Sequence, residues 1–420
     1  MKGEFVSYIV IVLCIYFLVF NFPLTPLGVP VGTKNLLYLF LLLVMLLYGK
    51  KYMASFKHFG KEFLLLLIPL MYVLFRTLMG GDSVFVTKHI TGLLDTFFVP
   101  LAILLYAAKS GITTENKFIR CILILGAVAS VISLLSFIFP PVQAYIKYNI
   151  LNLQPETALY WNNNRGFGLA MSLTSSYAYI QGIIFVLGCF YAKENKWFLF
   201  FLPLVLLSVI TNARTGLLIL TVGVIIFIVS KKTSFASVFF GIVVFVMIIN
   251  LQDIMQSFGV SSEIVGWISV LFNDMDVIYA TGDINQSYTG NRLFDTMWIL
   301  PETSSEWLFG KGYSLFRHEL EENSDNGWIL QLNYGGIIYM ILLYFFVIPI
   351  ISGLRKSKKL SLAVFFLAII LIVNTKSSLF PNNEVFRFLM IIYMYFMLLN
   401  RKSVNKPSEF SYDKTFLRSV

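Results

Sequence analysis

The sequence predicts an all-α, polytopic transmembrane bundle of about twelve spans, and three observations carry that reading. Apolar types make up 58% of the 420 residues and charged types only 13%, whereas a soluble domain averages about 25% charged. The apolar residues fall in long continuous runs that match the roughly 20 residues a helix needs to cross a bilayer. A transmembrane β-barrel would instead alternate over segments of about 10 residues. The formal charge of +10 needs no nucleic-acid partner, because cytoplasmic loops of membrane proteins collect Lys and Arg.

In chain order the spans are read at 5–22, 30–48, 62–79, 90–108, 118–139, 173–191, 197–211, 213–230, 234–251, 327–351, 360–378 and 385–399. The first starts at Phe5 and runs into Asn21-Phe22-Pro23 without a small-residue cleavage site, so it is expected to be retained as a span. With the N-terminus inside, 21 of the 32 basic and 6 of the 22 acidic residues face the cytoplasm. Both termini are then cytoplasmic, as the positive-inside rule demands. The chain divides into a membrane bundle, 1–251, holding spans one to nine and an extracytoplasmic loop at 140–172. A large outer loop follows at 252–326 between spans nine and ten, then spans ten to twelve at 327–399 and a basic cytoplasmic tail at 400–420. Cys14, Cys121 and Cys189 are far apart in apolar runs, so neither a disulfide nor a metal site is expected.

Two outer loops exceed what a connection needs, and long ordered loops are usually functional. The first opens with Pro140-Pro141, which ends the fifth helix, and contains Trp161-Asn162-Asn163-Asn164-Arg165-Gly166. The second contains Ile264–Phe272, readable as a surface-lying helix or as the core of a small subdomain. Between spans seven and eight, the turn Thr211-Asn212-Ala213-Arg214-Thr215-Gly216 is too short to leave the membrane boundary. Span eight then points its N-terminal N–H groups outward beside Arg214, a combination suited to phosphate or pyrophosphate. A snorkelling arginine bound to lipid headgroups is the alternative.

In the large loop, Thr289-Gly290-Asn291-Arg292 precedes Trp298, then Gly310-Lys311-Gly312-Tyr313, then Ser324-Asp325-Asn326-Gly327-Trp328. Asp325 and Asn326 open span ten, where helix capping is the plain account of either. Trp298 and Trp328 suit stacking on a sugar ring, and tryptophan is equally routine at a membrane interface. Arg76 and Asp95 lie in apolar runs near the outer ends of spans three and four, where an unpaired charge is costly, so they are expected to pair with each other. Lys376 and Arg387 flank the last outer loop and are placed to attract an anion. His89 is read as an ordinary loop histidine, and His58 falls on the cytoplasmic side.

These residues resemble a known family. Arg165 with Gly166, the Asn-Ala-Arg-Thr-Gly turn, Arg292 before Trp298, Gly-Lys-Gly, and Asp-Asn-Gly-Trp entering Leu330–Gly336 are similar to the bacterial O-antigen polymerase and O-antigen ligase superfamily. The motifs cover roughly 160–340, and topology carries the rest. The resemblance implies a GT-C-like glycosyltransferase of the bacterial inner membrane, working at its outer face on an undecaprenyl-pyrophosphate-linked oligosaccharide, with no metal or other cofactor. Arg165, Arg214 and Arg292 would hold the pyrophosphate; Trp298, Tyr313, Asn326, Trp328, Lys376 and Arg387 would line the glycan site. Where ligases of the family carry a histidine beside the asparagine that opens the span, this chain has Asp325, and the nearest histidine is His318. Polymerase is therefore favoured, with either Asp325 or His318 as the base and Arg292 stabilising charge. Implied partners are membrane lipids, a chain-length regulator and a flippase, with no nucleic acid. A transporter of lipid-linked glycans is the reading from another class. It predicts paired halves with broken midplane helices.

Overall fold

The computed structural model describes residues 2–24, 32–153, 166, 168–170, 175–192, 194–213, 215–230, 250, 273–274, 276–291, 297–315 and 324–404. Among the described residues the fold is helical, with one isolated bridge between Pro23 and Gly32. The elements are α1 (Lys2–Phe20), α2 (Lys34–His58), α3 (Gly60–Leu78), α4 (Val84–Leu93), α5 (Val99–Lys109), α6 (Glu115–Ile138) and the short α7 (Pro140–Tyr145). They continue with α8 (Ser175–Tyr191), α9 (Phe198–Asn212), α10 (Thr215–Val229), the short α11 (Ser304–Phe309), α12 (Gly327–Tyr344), α13 (Val347–Lys356), α14 (Leu360–Asn374) and α15 (Glu384–Val404). Helices lie over the apolar runs described above, except 234–251, of which residue 250 alone is described, and the Ile264–Phe272 stretch falls outside the described residues.

Four helical segments are long and apolar enough to cross a membrane: Lys34–His58, Val84–Lys109, Glu115–Ile138 and Gly327–Lys356. Shorter apolar helices accompany them at Phe5–Phe20, Ser175–Tyr191, Phe198–Asn212, Thr215–Val229 and Leu360–Asn374. The periphery is apolar as well: Leu46 on α2 is 84% exposed and Leu78 on α3 is 86% exposed. Such a surface suits hydrocarbon rather than water. At the other extreme, α15 is buried on every side from Val385 to Phe396. A helix apolar all round belongs inside a bundle, and α15 accordingly packs against α1, α5, α8 and α13.

Helices α8, α9 and α10 form a tight subgroup that also engages α6 and α14. Glycines let them approach: a Cβ at Gly216 would lie 2.8 Å from Ala178, and one at Gly223 would run into Val186. In lipid, where hydrophobic attraction between helices vanishes, close backbone packing of this kind supplies the association energy. Gly216 of the Asn-Ala-Arg-Thr-Gly turn thus has a packing role.

The fourth span departs from the sequence reading. Its helix begins at Val84 rather than 90, which places His89 inside α4, buried, with its Nε2 sharing a 2.8 Å hydrogen bond with Tyr339 OH. Helix α4 passes into α5 through one wide turn at Leu94–Phe98, and that turn carries Asp95. The expected Arg76–Asp95 pair does not form. Asp95, fully buried, instead accepts from Lys34 Nζ at 2.7 Å and Tyr38 OH at 2.7 Å, with Arg387 Nε 3.6 Å away. Arg76 donates through Nη2 to the Gly310 carbonyl at 3.0 Å. Both charges lie near the same end of the bundle, but each found a partner from an element that the sequence does not place beside it.

Span ten is likewise not a straight rod. At Gly336 the backbone takes φ 68° and ψ −170°, a conformation essentially restricted to glycine. In a continuous helix residues 328 and 344 would stand about 24 Å apart. Here the Trp328 and Tyr344 rings stack at 5.0 Å, and Tyr344 OH donates to Gln331 Oε1 at 2.9 Å. The arms 327–335 and 337–344 therefore fold back on each other, and α13 makes the descent to Arg355 and Lys356.

Candidate active site

Breaking a helix within an apolar slab exposes carbonyls that lipid cannot satisfy. At the Gly336 apex three consecutive ones are met from elsewhere. The Asn333 and Tyr334 carbonyls accept from Lys311 N and Gly312 N, and the Gly335 carbonyl accepts from Tyr72 OH at 2.7 Å. Gly310 and Gly312 both have positive φ, 74° and 84°, and a Cβ on Gly310 would collide with the Tyr334 backbone. The Gly-Lys-Gly motif is thus a backbone clasp on α12. The clasp is tied to α3 and α4 as well, because Asp82 N donates to the Gly312 carbonyl at 2.7 Å and Arg76 holds Gly310.

The entry to α12 is fixed from the same loop. Asn326 caps the helix, its Oδ1 accepting from Trp328 N at 3.0 Å and Ile329 N at 3.4 Å. Ser324 Oγ donates to the Met297 carbonyl at 2.8 Å, and Asn333 Nδ2 to the Ile299 carbonyl at 2.8 Å. Tyr313 and Ile299 pack on Leu315, Ile329 and Leu330. Residues 297–315 are thereby seated on the 327–335 arm of the folded-back pair.

Between this seat and the loop joining α14 to α15 lies a cleft of about 290 Å³. Its charged lining is Lys88 from α4, Asp325 from the mouth of α12, Lys376 after α14 and Glu384 at the start of α15. It opens at the end of the bundle opposite Lys109, Arg355 and Lys356. Lys88 Nζ stands 4.9 Å over the Phe85 ring, and Phe85 stacks on Tyr334 at 3.5 Å. The floor is a buried amide and hydroxyl network. Gln331 Nε2 donates to Asn374 Oδ1 at 3.2 Å and to Ser378 Oγ at 3.1 Å, while Asn374 Oδ1 also accepts from Leu379 N. Two amines and two carboxylates over neutral hydrogen-bonding groups can hold a phosphate, orient sugar hydroxyls and take a proton from one of them.

The candidates named from sequence have varied places. Asp325 and Lys376 line the cleft. Asn326 caps α12, and Trp328 has one ring face covered by Tyr344. Trp298 is 40% exposed. Arg387 is buried: its Nε donates to Asn382 Oδ1 at 2.9 Å, Nη1 to the Leu18 carbonyl at 3.2 Å, and it neighbours Asp95. That is a structural post beneath the cleft rather than a cation in it. Arg165, Arg214, Arg292 and His318 lie outside the described residues. Their sequence neighbours nevertheless bring two motifs together, since Gly166 N donates to the Thr211 carbonyl at 2.9 Å and Asn212 Nδ2 to the Gly166 carbonyl at 2.6 Å.

Lys88, Glu384 and Gln331 were not singled out from the sequence. Lys88 carried a usable signal, a lysine within the run Val84-Phe85-Val86-Thr87-Lys88-His89-Ile90, where intramembrane charge is expensive and so usually functional. Starting the span at 90 hid it. No protein-family model matches the chain, and a comparison with curated proteins finds no match.

Proposed function

We propose that the chain is a metal-independent glycosyltransferase of the bacterial inner membrane that polymerises lipid-linked glycan at the outer face. The observation that carries this reading is the cleft lined by Asp325 and Glu384 together with Lys88 and Lys376. In the proposed reaction, a hydroxyl oxygen of a new lipid-linked repeat unit forms a bond to the anomeric carbon of the growing glycan. The bond from that carbon to undecaprenyl pyrophosphate breaks, and its electron pair leaves on the pyrophosphate oxygen. Asp325 takes the hydroxyl proton, and Lys88 and Lys376, with Arg165, Arg214 and Arg292 of the resemblance, neutralise the departing charge. The energy resides in the donor, so no nucleotide is consumed.

The test is the glycan ladder of a deletion strain complemented with variants. Asp325→Asn, Arg214→Ala and Arg292→Ala should each leave single repeat units attached and no ladder, at normal protein levels. Lysine should replace either arginine poorly, because it keeps the charge and loses the planar two-pronged donor. A full ladder from these variants removes the residues from the mechanism. Long lipid-linked polymer that is never attached identifies a ligase.

One observation favours a transporter as the second reading: the folded-back segment at Gly336, since broken helices mark many transporter sites. A flippase mutant would trap single units at the cytoplasmic face. Its loss would therefore remove even the attached single unit, which separates it from both other outcomes.

A further inference from the structure

A second cavity lies away from the cleft, in a groove of about 710 Å³ between α1 and α6 at the opposite end of the bundle. On α1 it is lined by Phe5, Ile9, Val12, Leu13 and Tyr16, spaced along one helical stripe. Val12 and Tyr16 are buried and form the floor, whereas Phe5, Ile9 and Leu13 are exposed and leave the groove open sideways to the membrane. From Phe5 to Tyr16 the stripe measures about 16 Å at 1.5 Å per residue. That is close to one leaflet, about half of a 30 Å hydrocarbon core.

The second wall changes character along its length. On α6, Ile124 and Val128 face the groove in its deeper part, and Lys117 and Arg120 face it at the end where α6 begins. Lys117 Nζ donates to the Gly111 carbonyl at 3.2 Å, which holds the amine at the mouth. Asn195 lines the same end, and its near neighbour Trp197 is 76% exposed. An exposed tryptophan at that level suits the headgroup boundary. The groove is therefore apolar for one leaflet depth and cationic where headgroups lie.

We propose that this groove binds an anionic phospholipid of the cytoplasmic leaflet, one acyl chain along α1 and the phosphate between Lys117 and Arg120. Basic recesses between helices on the cytoplasmic side suit such headgroups, and the acyl chain, already in hydrocarbon, gains only packing contact along α1, so the headgroup sets the preference. The assignment of leaflet rests on the cytoplasmic placement of the basic loops, not on the proposed glycosyl transfer. A polyprenyl pyrophosphate substrate is disfavoured here, because its headgroup belongs at the other end of the bundle, beside the cleft.

The experiment is native mass spectrometry of the full chain in mild detergent, titrated with phosphatidylglycerol or phosphatidylcholine of identical acyl chains. Phosphatidylglycerol should be retained preferentially, as one molecule per chain. Lys117→Ala with Arg120→Ala should weaken it about thirtyfold, at the usual contribution of two surface cations, while Lys117→Arg should retain it. Leu13→Trp, which fills the groove, should weaken both lipids. Equal retention of the two lipids, or an unchanged preference in the double variant, overturns the proposal. Should the double variant fail to accumulate, the preference of the native chain must fall as salt is raised, and a salt-independent preference overturns it as well. The glycan ladder is a separate readout, so a failure here leaves the glycosyltransferase reading standing, and the reverse also holds.

Discussion

Helices α8, α9 and α10 and the half built from α3, α4, α12, α14 and α15 solve the same problem in opposite ways. The first group contains no Asp, Glu, Lys, Arg or His within its helices and gains contact by removing side chains at Gly182, Gly216 and Gly223. The second breaks a helix at Gly336, widens another at Leu94–Phe98, and buries Asp95 and Arg387. Each irregularity there has a specific partner from a distant element: the Gly310–Gly312 clasp for the α12 carbonyls, Lys34 and Tyr38 for Asp95. A membrane protein can afford broken backbone only where protein, not lipid, supplies the missing partners. The irregular half is also the half that holds the cleft.

The sharpest way to break this contrast is Asp95→Ala. It leaves the buried Arg387 and the half-buried Lys34 without their carboxylate, and removing one member of a buried ion pair costs about 3–5 kcal/mol. Thermal unfolding in detergent should show a large loss of stability. Near-native melting would mean that the two cations relax to other partners and that the network is not essential.

Gly310→Val tests the clasp. The added Cβ meets the Tyr334 backbone in a positive-φ conformation, at an expected cost of roughly 3 kcal/mol. Proteolysis should open first within 297–315 while the α8–α10 group stays resistant, and the glycan ladder should shorten. Simultaneous digestion of both regions would show that the two halves unfold as one.

Gly223→Leu probes the regular half, where overpacking against Val186 should cost about 2 kcal/mol. Its melting temperature should fall while repeat-unit extension is preserved. A lost ladder at intact protein levels would couple that packing to the cleft and erase the contrast. The smallest effect is expected from Asn326→Ala, which removes the cap of α12 at about 1 kcal/mol. Asn326→Ser should restore most of that stability, because serine caps comparably well. If serine restores stability but not the ladder, Asn326 contacts substrate in addition to capping.

The helices themselves were legible in the sequence because the bilayer makes a local demand. Every residue of a span faces either hydrocarbon or other helices, so apolar runs and the asymmetry of Lys and Arg can be read one segment at a time. That Asp325 and Lys376 would stand out was legible for a related reason: polar residues at the ends of apolar runs are few and conspicuous, and both line the cleft. What the sequence could not decide is which distant groups meet. Asp95 was expected beside Arg76 because both sit near the same membrane end, but the choice of Lys34, 61 residues away, is a matter of which helix packs beside which. The fold-back at Gly336 was hidden for the same reason. An apolar stretch of 30 residues reads as one span, and only the clasp from residues 310–312 makes its break affordable. Local composition determined where the chain enters the membrane, whereas the pairing of backbone and charge across the bundle decided where it bends, which charges are consumed internally, and which remain to face a cleft.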